Sequence, residues 1–173
     1  LPIYNWIDPT QSELDTINSI IKQIMPIDDE REFYKIILST SLEGRCLEKF
    51  IVFNGNGRNG KGLIDDLLII ALGSYGFVGN TSLLFEKFKT GSNPELANLD
   101  KKRLVVFREP PEKSKFENAN VKTLTGGGKF SGRTHNEKET EKLLNNTTIC
   151  ECNKRPMFAE EPDTAEVKRI IDI

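Results

Sequence analysis

Apolar and polar positions alternate along this chain in two different periods, and the change of period falls near residue 49. Residues 1–9 carry two prolines and no helical period, so they predict an extended arm. Thr10 and Glu13 then form a capping box, and Leu14, Ile17, Ile20, Ile21 and Ile24 recur at helical spacing up to Pro26. Asp28 or Asp29 is expected to cap a second helix carrying Phe33, Ile36 and Ile37, with Gly44 closing it. Residues 1–48 therefore read as a two-helix lead-in, and residues 49–173 as a core of another kind.

In that core, Phe50 to Phe53 is a short continuous apolar run, the pattern of a strand buried on both faces. A Gly- and Asn-rich loop follows, then a helical pattern through Leu63, Ile64, Leu67, Leu68 and Ala71, stopped at Gly73 and Gly76. Residues 77–92 fit no single period. Asn93 and Pro94 predict a helix start. Leu104 to Phe107 predicts a second buried strand, 116–125 a helix, 126–146 a polar hairpin, 147–150 a third strand, and Ile170 onward a fourth. Strands separated by helices imply an α/β fold with a mainly parallel sheet flanked by helices. Ligands of such sheets sit at the carboxyl ends of the strands.

Composition narrows the class without naming a function. The 24 basic and 26 acidic residues give a net charge of −2, which excludes a wholly basic nucleic-acid binder but not a local basic site. No apolar run approaches the roughly 20 residues of a membrane span. Three cysteines are too few and odd for a disulfide framework, so a reducing, intracellular setting is expected. The chain begins at Leu1 and stops at Ile173 within an apolar run, which suggests a piece of a longer protein.

The chemistry concentrates in Gly55-Asn56-Gly57-Arg58-Asn59-Gly60-Lys61, a G-x-x-x-x-G-K run between strand and helix. Glycines let successive backbone N–H groups turn inward toward phosphate oxygens, the helix N-terminus adds positive potential, and Lys61 adds a mobile charge. The run predicts a P-loop NTPase. The next position ordinarily carries a Ser or Thr that ligates Mg²⁺, and here it is Gly62. Either water fills that place, or metal affinity falls, or the site is degenerate. Asp65 and Asp66, one turn on, read as an exposed helix face rather than as metal ligands.

Glu109 ends the second apolar strand, where a carboxylate can organise Mg²⁺ or the attacking water. Asn153 follows the third strand, as a turn residue or as an amide that positions water. Cys150 and Cys152 face one side of a strand and fall short of a zinc set even with Cys46, so they read as packing. His135 is the single histidine.

Lys61, Glu109 and Asn153 in this order resemble the superfamily 3 helicases, specifically the poxvirus-type helicase–primase branch of large DNA viruses and phages. The resemblance runs from about Phe33 to Ile173. It also takes in Asn93-Pro94-Glu95-Leu96-Ala97, Lys102 to Val106, Pro110, Lys122 to Gly127, Arg133, Pro156 and the pair Lys168-Arg169.

That resemblance implies an AAA+-like core in a ring, usually a hexamer, with ATP between subunits and single-stranded DNA in the channel. Asn153 becomes the sensor, and Arg169, less so Lys168, the arginine finger reaching a neighbour's γ-phosphate. A DNA-gripping hairpin is implied over 129–142, with Lys129, Arg133, His135, Lys138 and Lys142 as its cations. Gly128 stands where the family usually has an acid; with Gly62 this bears on turnover more than on fold.

The expected protein is an ATP- and Mg²⁺-dependent DNA helicase motor in replication, placed in host cytoplasm or a viral replication site and not at a membrane. The rivals are a catalytically degenerate nucleotide- or DNA-binding ring and a small-molecule kinase on the same phosphate loop.

Overall fold

The structure, a computed structural model, describes residues 7–57, 59–88, 93–127, 129–132 and 140–173, with no side chain described at 129, 131, 132 or 140. Within the predicted arm, only residues 7–9 are described.

Helix α1 (Gln11–Ile24) starts at the expected box. The Thr10 hydroxyl accepts from the Glu13 N–H at 3.3 Å, and the Glu13 carboxylate accepts from the Thr10 N–H at 2.8 Å. Helix α2 (Asp28–Thr40) departs from expectation at both ends. Its N-cap is Ile27, without a side-chain bond, because the Asp28 carboxylate accepts from Arg31 at 2.6 Å instead. Gly44 does not close it. The helix ends at Thr40, and Gly44 lies beyond in the left-handed region at φ 65°.

The core mixes strands and helices along the chain. It runs β1 (Phe50–Asn54), α3 (Lys61–Leu72), β2 (Gly76–Gly79), α4 (Ser82–Phe85), α5 (Pro94–Ala97), β3 (Leu104–Arg108), β4 (Lys115–Phe116) and α6 (Asn118–Thr125). It continues through β5 (Lys129–Gly132), β6 (Thr140–Leu143), β7 (Thr147–Cys152), β8 (Met157–Phe158), α7 (Thr164–Arg169) and β9 (Ile170–Asp172). Five strands form one sheet in the order β2-β3-β7-β1-β9, all parallel.

Strand β2 falls inside the stretch that fitted no period, because only Phe77 and Val78 stand between its glycines. The predicted start at Asn93 is real but yields one turn, with the Asn93 side chain accepting from the Leu96 N–H at 3.0 Å. Helix α7 was not foreseen; Asp163 and Glu166 cap it reciprocally at 2.8 Å. The polar stretch after α6 pairs β5 with β6 antiparallel, as a hairpin requires.

The sheet is buried on both faces. Phe50, Val52, Val105, Phe107 and Cys150 enter one apolar cluster with Phe116 and Leu124. Ile51, Phe53, Leu104, Val106 and Ile149 enter the other. The lead-in belongs to that second cluster through Ile21, Tyr34 and Ile37, and the Tyr34 and Phe53 rings meet edge-on at 4.9 Å. Among the described residues no helix is long and apolar enough to cross a membrane.

Edge strand β2 fits against β3 only because residue 79 lacks a side chain. A Cβ there would strike the ring of Phe107, which is fully buried and cannot yield. Gly79→Ala is therefore expected to destabilise the fold by about 1–3 kcal/mol through overpacking, read as a lowered midpoint in urea unfolding.

Candidate nucleotide site

Three strand ends meet at one place. In register, Phe53 of β1 lies beside Glu151 of β7, which lies beside Arg108 of β3. The loops that leave these strands therefore open on a common cavity of about 300 Å³, whose lining includes Lys61, Gly62, Glu109, Glu151 and Asn153. Lys61, Glu109 and Asn153, widely spaced in sequence, are thus brought together.

The loop after β1 is built from its glycines. Gly60 caps α3 in the left-handed region at φ 85°, which turns the chain into the helix. A Cβ at Gly60 would also strike the Ile24 side chain of α1 at 2.8 Å. A Cβ at Gly55 would lie 3.0 Å from Asn59 Nδ2 and 3.2 Å from Lys61 Nζ, so glycine keeps the inside of the loop clear. Lys61 Nζ donates to the Gly55 carbonyl at 2.8 Å, folding the lysine back over that interior. Phosphate oxygens suit such a cradle: backbone donors, a helix N-terminus and one ammonium.

Glu109 follows β3 in the left-handed region at φ 49°, uncommon for a residue with a Cβ. Its N–H donates to the Glu151 carbonyl at 3.2 Å, which ties the turn to β7. The Asn153 amide faces the phosphate loop, its Oδ1 and Nδ2 3.8 and 3.7 Å from where a Gly57 Cβ would stand.

Arg169 is not among the residues lining this cavity. It ends α7, donates to the Thr125 carbonyl at 3.2 Å, and pairs with Glu48 at 3.7 Å. Arg58, Arg133, His135 and Lys138 lie outside the described residues, as does the side chain of Lys129. Lys142 lies 3.8 Å from Asp100. Cys150 and Cys152 pack in the core, where burial pushes both thiols up.

Sequence reasoning missed a charged group beneath the site. Asp65, expected on an exposed helix face, is fully buried, while Asp66 is exposed and pairs with Arg108 at 2.8 Å. The helix turns Asp65 toward the sheet and into contact with Glu151. Arg108 also pairs with Glu151, Nε to Oε2 at 3.0 Å. As carboxylates, neither Asp65 oxygen nor Glu151 Oε1 finds a donor. A proton between the two acids supplies one. Burial, then the Glu151 charge, pushes Asp65 up to about 8; burial also raises Glu151, opposed by Arg108. The available signal was Glu151 itself, a charged residue at an inward-facing position of a buried strand.

The pair makes stability depend on pH. Asp65 holds its proton in the fold up to about 8 but releases it near 3.8 when unfolded. Between those values the folded state binds more protons, so stability is full below the lower value and falls as pH rises through the upper. Asp65→Asn is expected to flatten this fall, measured as melting temperature across the same range.

No family model matches the chain. In sequence it is similar to a candidate helicase, L207/L206, of Acanthamoeba polyphaga mimivirus, 30% identical over 163 residues, covering 92% of this chain and 17% of that protein. Uncoating factor OPG117 of vaccinia virus (strain Western Reserve) is 30% identical over 172 residues, 91% of this chain and 21% of its own. Primase D5 of fowlpox virus (strain NVSL) is 30% identical over 166 residues, 88% and 20%. The chain spans 17–21% of the length of these curated relatives.

Among solved structures, the apo C-terminal region (305–718) of NrS-1 superposes with a TM-score of 0.68 at 19% identity, over 91% of this chain and 37% of that one. JCV helicase gives 0.53 at 16%, over 89% and 42%. These likenesses establish the fold, a P-loop NTPase-like α/β domain.

Proposed function

We propose that this chain, which is related to the superfamily 3 helicases of large DNA viruses, is the ATP-hydrolysing motor segment of a replicative DNA helicase. The observation that carries the reading is the convergence of Lys61, Glu109 and Asn153 on one cavity at the carboxyl ends of β1, β3 and β7. The loop backbone from Gly55 to Gly62 and Lys61 bind the phosphates of ATP. Glu109 orients the attacking water and accepts its proton. Asn153, whose amide faces the loop, senses the γ-phosphate.

The carboxylates of Glu109 and Glu151 beside the phosphate loop suit a hard divalent cation. When bound with ATP, Mg²⁺ would supply neutralisation of the charge that develops on the phosphoryl oxygens. Glu109 would hold it on the protein side.

Arg169 acts in trans. It stands off its own cavity, as a residue serving a neighbouring subunit's nucleotide must, and its planar charge suits spread negative charge on a phosphoryl group. A ring, hexameric in the full-length protein, is what the resemblance to the superfamily 3 helicases implies, and it would bring Arg169 to a neighbour's nucleotide. The β5–β6 hairpin and the segment joining its strands, 129–142, grip single-stranded DNA in the channel through backbone phosphates. Work at a replication site inside the infected cell fits this role.

Gly62 favours one second reading, a nucleotide-binding ring without turnover. Mg²⁺-dependent ATP hydrolysis over a protein concentration series, with and without single-stranded DNA, separates the two. The motor is expected to turn over more than linearly with concentration and faster with DNA. Glu109→Gln is expected to lower turnover at least about a hundredfold with nucleotide still bound, and Lys61→Ala to abolish binding as well. An assembled ring that binds nucleotide and never turns over is the degenerate scaffold.

A further inference from the structure

Helix α7, which ends in Arg169, has little apolar hold on the rest of the molecule. Among its described residues Glu166 alone is buried, while Ala165 and Val167 are exposed. Six residues are too few for a helix to stand by itself in water. What seats this one is therefore an acid.

The seat is one face of α6. Asn118, Lys122 and Thr125 recur at helical spacing and share a side of that helix, while Val121 and Leu124 enter the apolar cluster. Asn118 Nδ2 donates to Glu166 Oε2 at 2.7 Å. Lys122 Nζ reaches Glu166 Oε1 at 2.9 Å and Asp163 Oδ2 at 2.8 Å. The Glu166 side chain, 3% exposed, also accepts from the Asp163 N–H and so closes the cap of α7. At the other end, Arg169 donates to the Thr125 carbonyl at 3.2 Å and to its hydroxyl at 3.4 Å. Both ends of α7 are thus held by α6. Apolar contact sets no direction, whereas hydrogen bonds at these distances fix the rotation of one helix against the other.

We propose that Lys122 is a positioning residue for hydrolysis in the neighbouring subunit: by clamping Glu166 to α6, it fixes the turn of α7 that aims Arg169. The proposal rests on the reading of Arg169 as acting in trans. Glu166 and Arg169 stand three positions apart on one helix, so a rotation that moves one carries the other with it. Lys122 does not line the nucleotide cavity, and its side chain is 43% exposed. An ion pair so open to water adds little to stability. What it supplies is geometry. A charge that has to meet a phosphoryl group loses much of its effect when displaced by about 1 Å.

In the full-length protein, Lys122→Met is expected to lower DNA-stimulated ATP turnover about tenfold or more with ATP affinity unchanged, and Lys122→Arg to keep most of it. The deciding test mixes subunits. A Lys61→Ala subunit holds no nucleotide but still offers Arg169, and an Arg169→Ala subunit holds nucleotide but offers no arginine. Each alone is expected to be inactive, and the mixture to regain turnover. Lys122→Met is then added to one partner at a time. In the Lys61→Ala subunit, which donates Arg169, it is expected to cut the regained turnover about tenfold. In the Arg169→Ala subunit, it is expected to leave that turnover in place. Both double variants carry the same change at Lys122, so a loss of fold strikes both mixtures alike. Equal turnover in the two mixtures, high or low, overturns the proposal. If the two single variants regain nothing together while wild type does turn over, the trans role of Arg169 falls, and this proposal with it.

Discussion

A parallel sheet covered on both faces leaves polar chemistry one exit, the carboxyl ends of its strands. The molecule obeys that constraint throughout. Apolar clusters fill both sides of β1, β3 and β7, and helices or the lead-in cover them. Because β7 lies between β1 and β3, the three loops that carry Lys61, Asn153 and Glu109 have nowhere to open except onto one another. A slip of β7 by one residue would send Glu151 into the opposite core and bring Cys152 to the site face. Register is therefore as much a property of the site as of the fold.

Beneath the cavity, Asp65, Arg108 and Glu151 gather three charged side chains against the otherwise apolar cluster on that face of the sheet. Two acids and one arginine cannot all be satisfied by pairing, since Arg108 also serves Asp66 at 2.8 Å. Such a group adds little to stability and can subtract from it. Its place is under the first turn of α3, beside the cavity that Arg108 and Glu151 help to line.

Much of this was legible in the chain. The runs 50–53 and 104–107 are apolar at every position, and only a strand buried on both faces needs that. Gly60-Lys61 and Glu109 each follow such a run, and Asn153 follows the strand that begins at Thr147, so topology places them at one end of the sheet. Strand β2 was not legible, because two apolar residues between glycines carry no period. Asp65 was misread for a related reason. On a helix, positions 65 and 66 differ by about a quarter turn, and which of them faces inward is decided by where α3 sits on the sheet. Arg108 and Glu151 became partners only through the pairing of β3 with β7, which no local pattern states.

The contact between Ile24 and the place a Gly60 Cβ would occupy has a mechanical side. The last turn of α1 leans on the hinge by which the phosphate loop enters α3, and α1 is anchored through Ile21 in the same core as β1. The lead-in is thus packed against the entry to the phosphate loop as well as against the sheet, so the shape of that entry is set by residues some 36 positions upstream of it as much as by its own glycines.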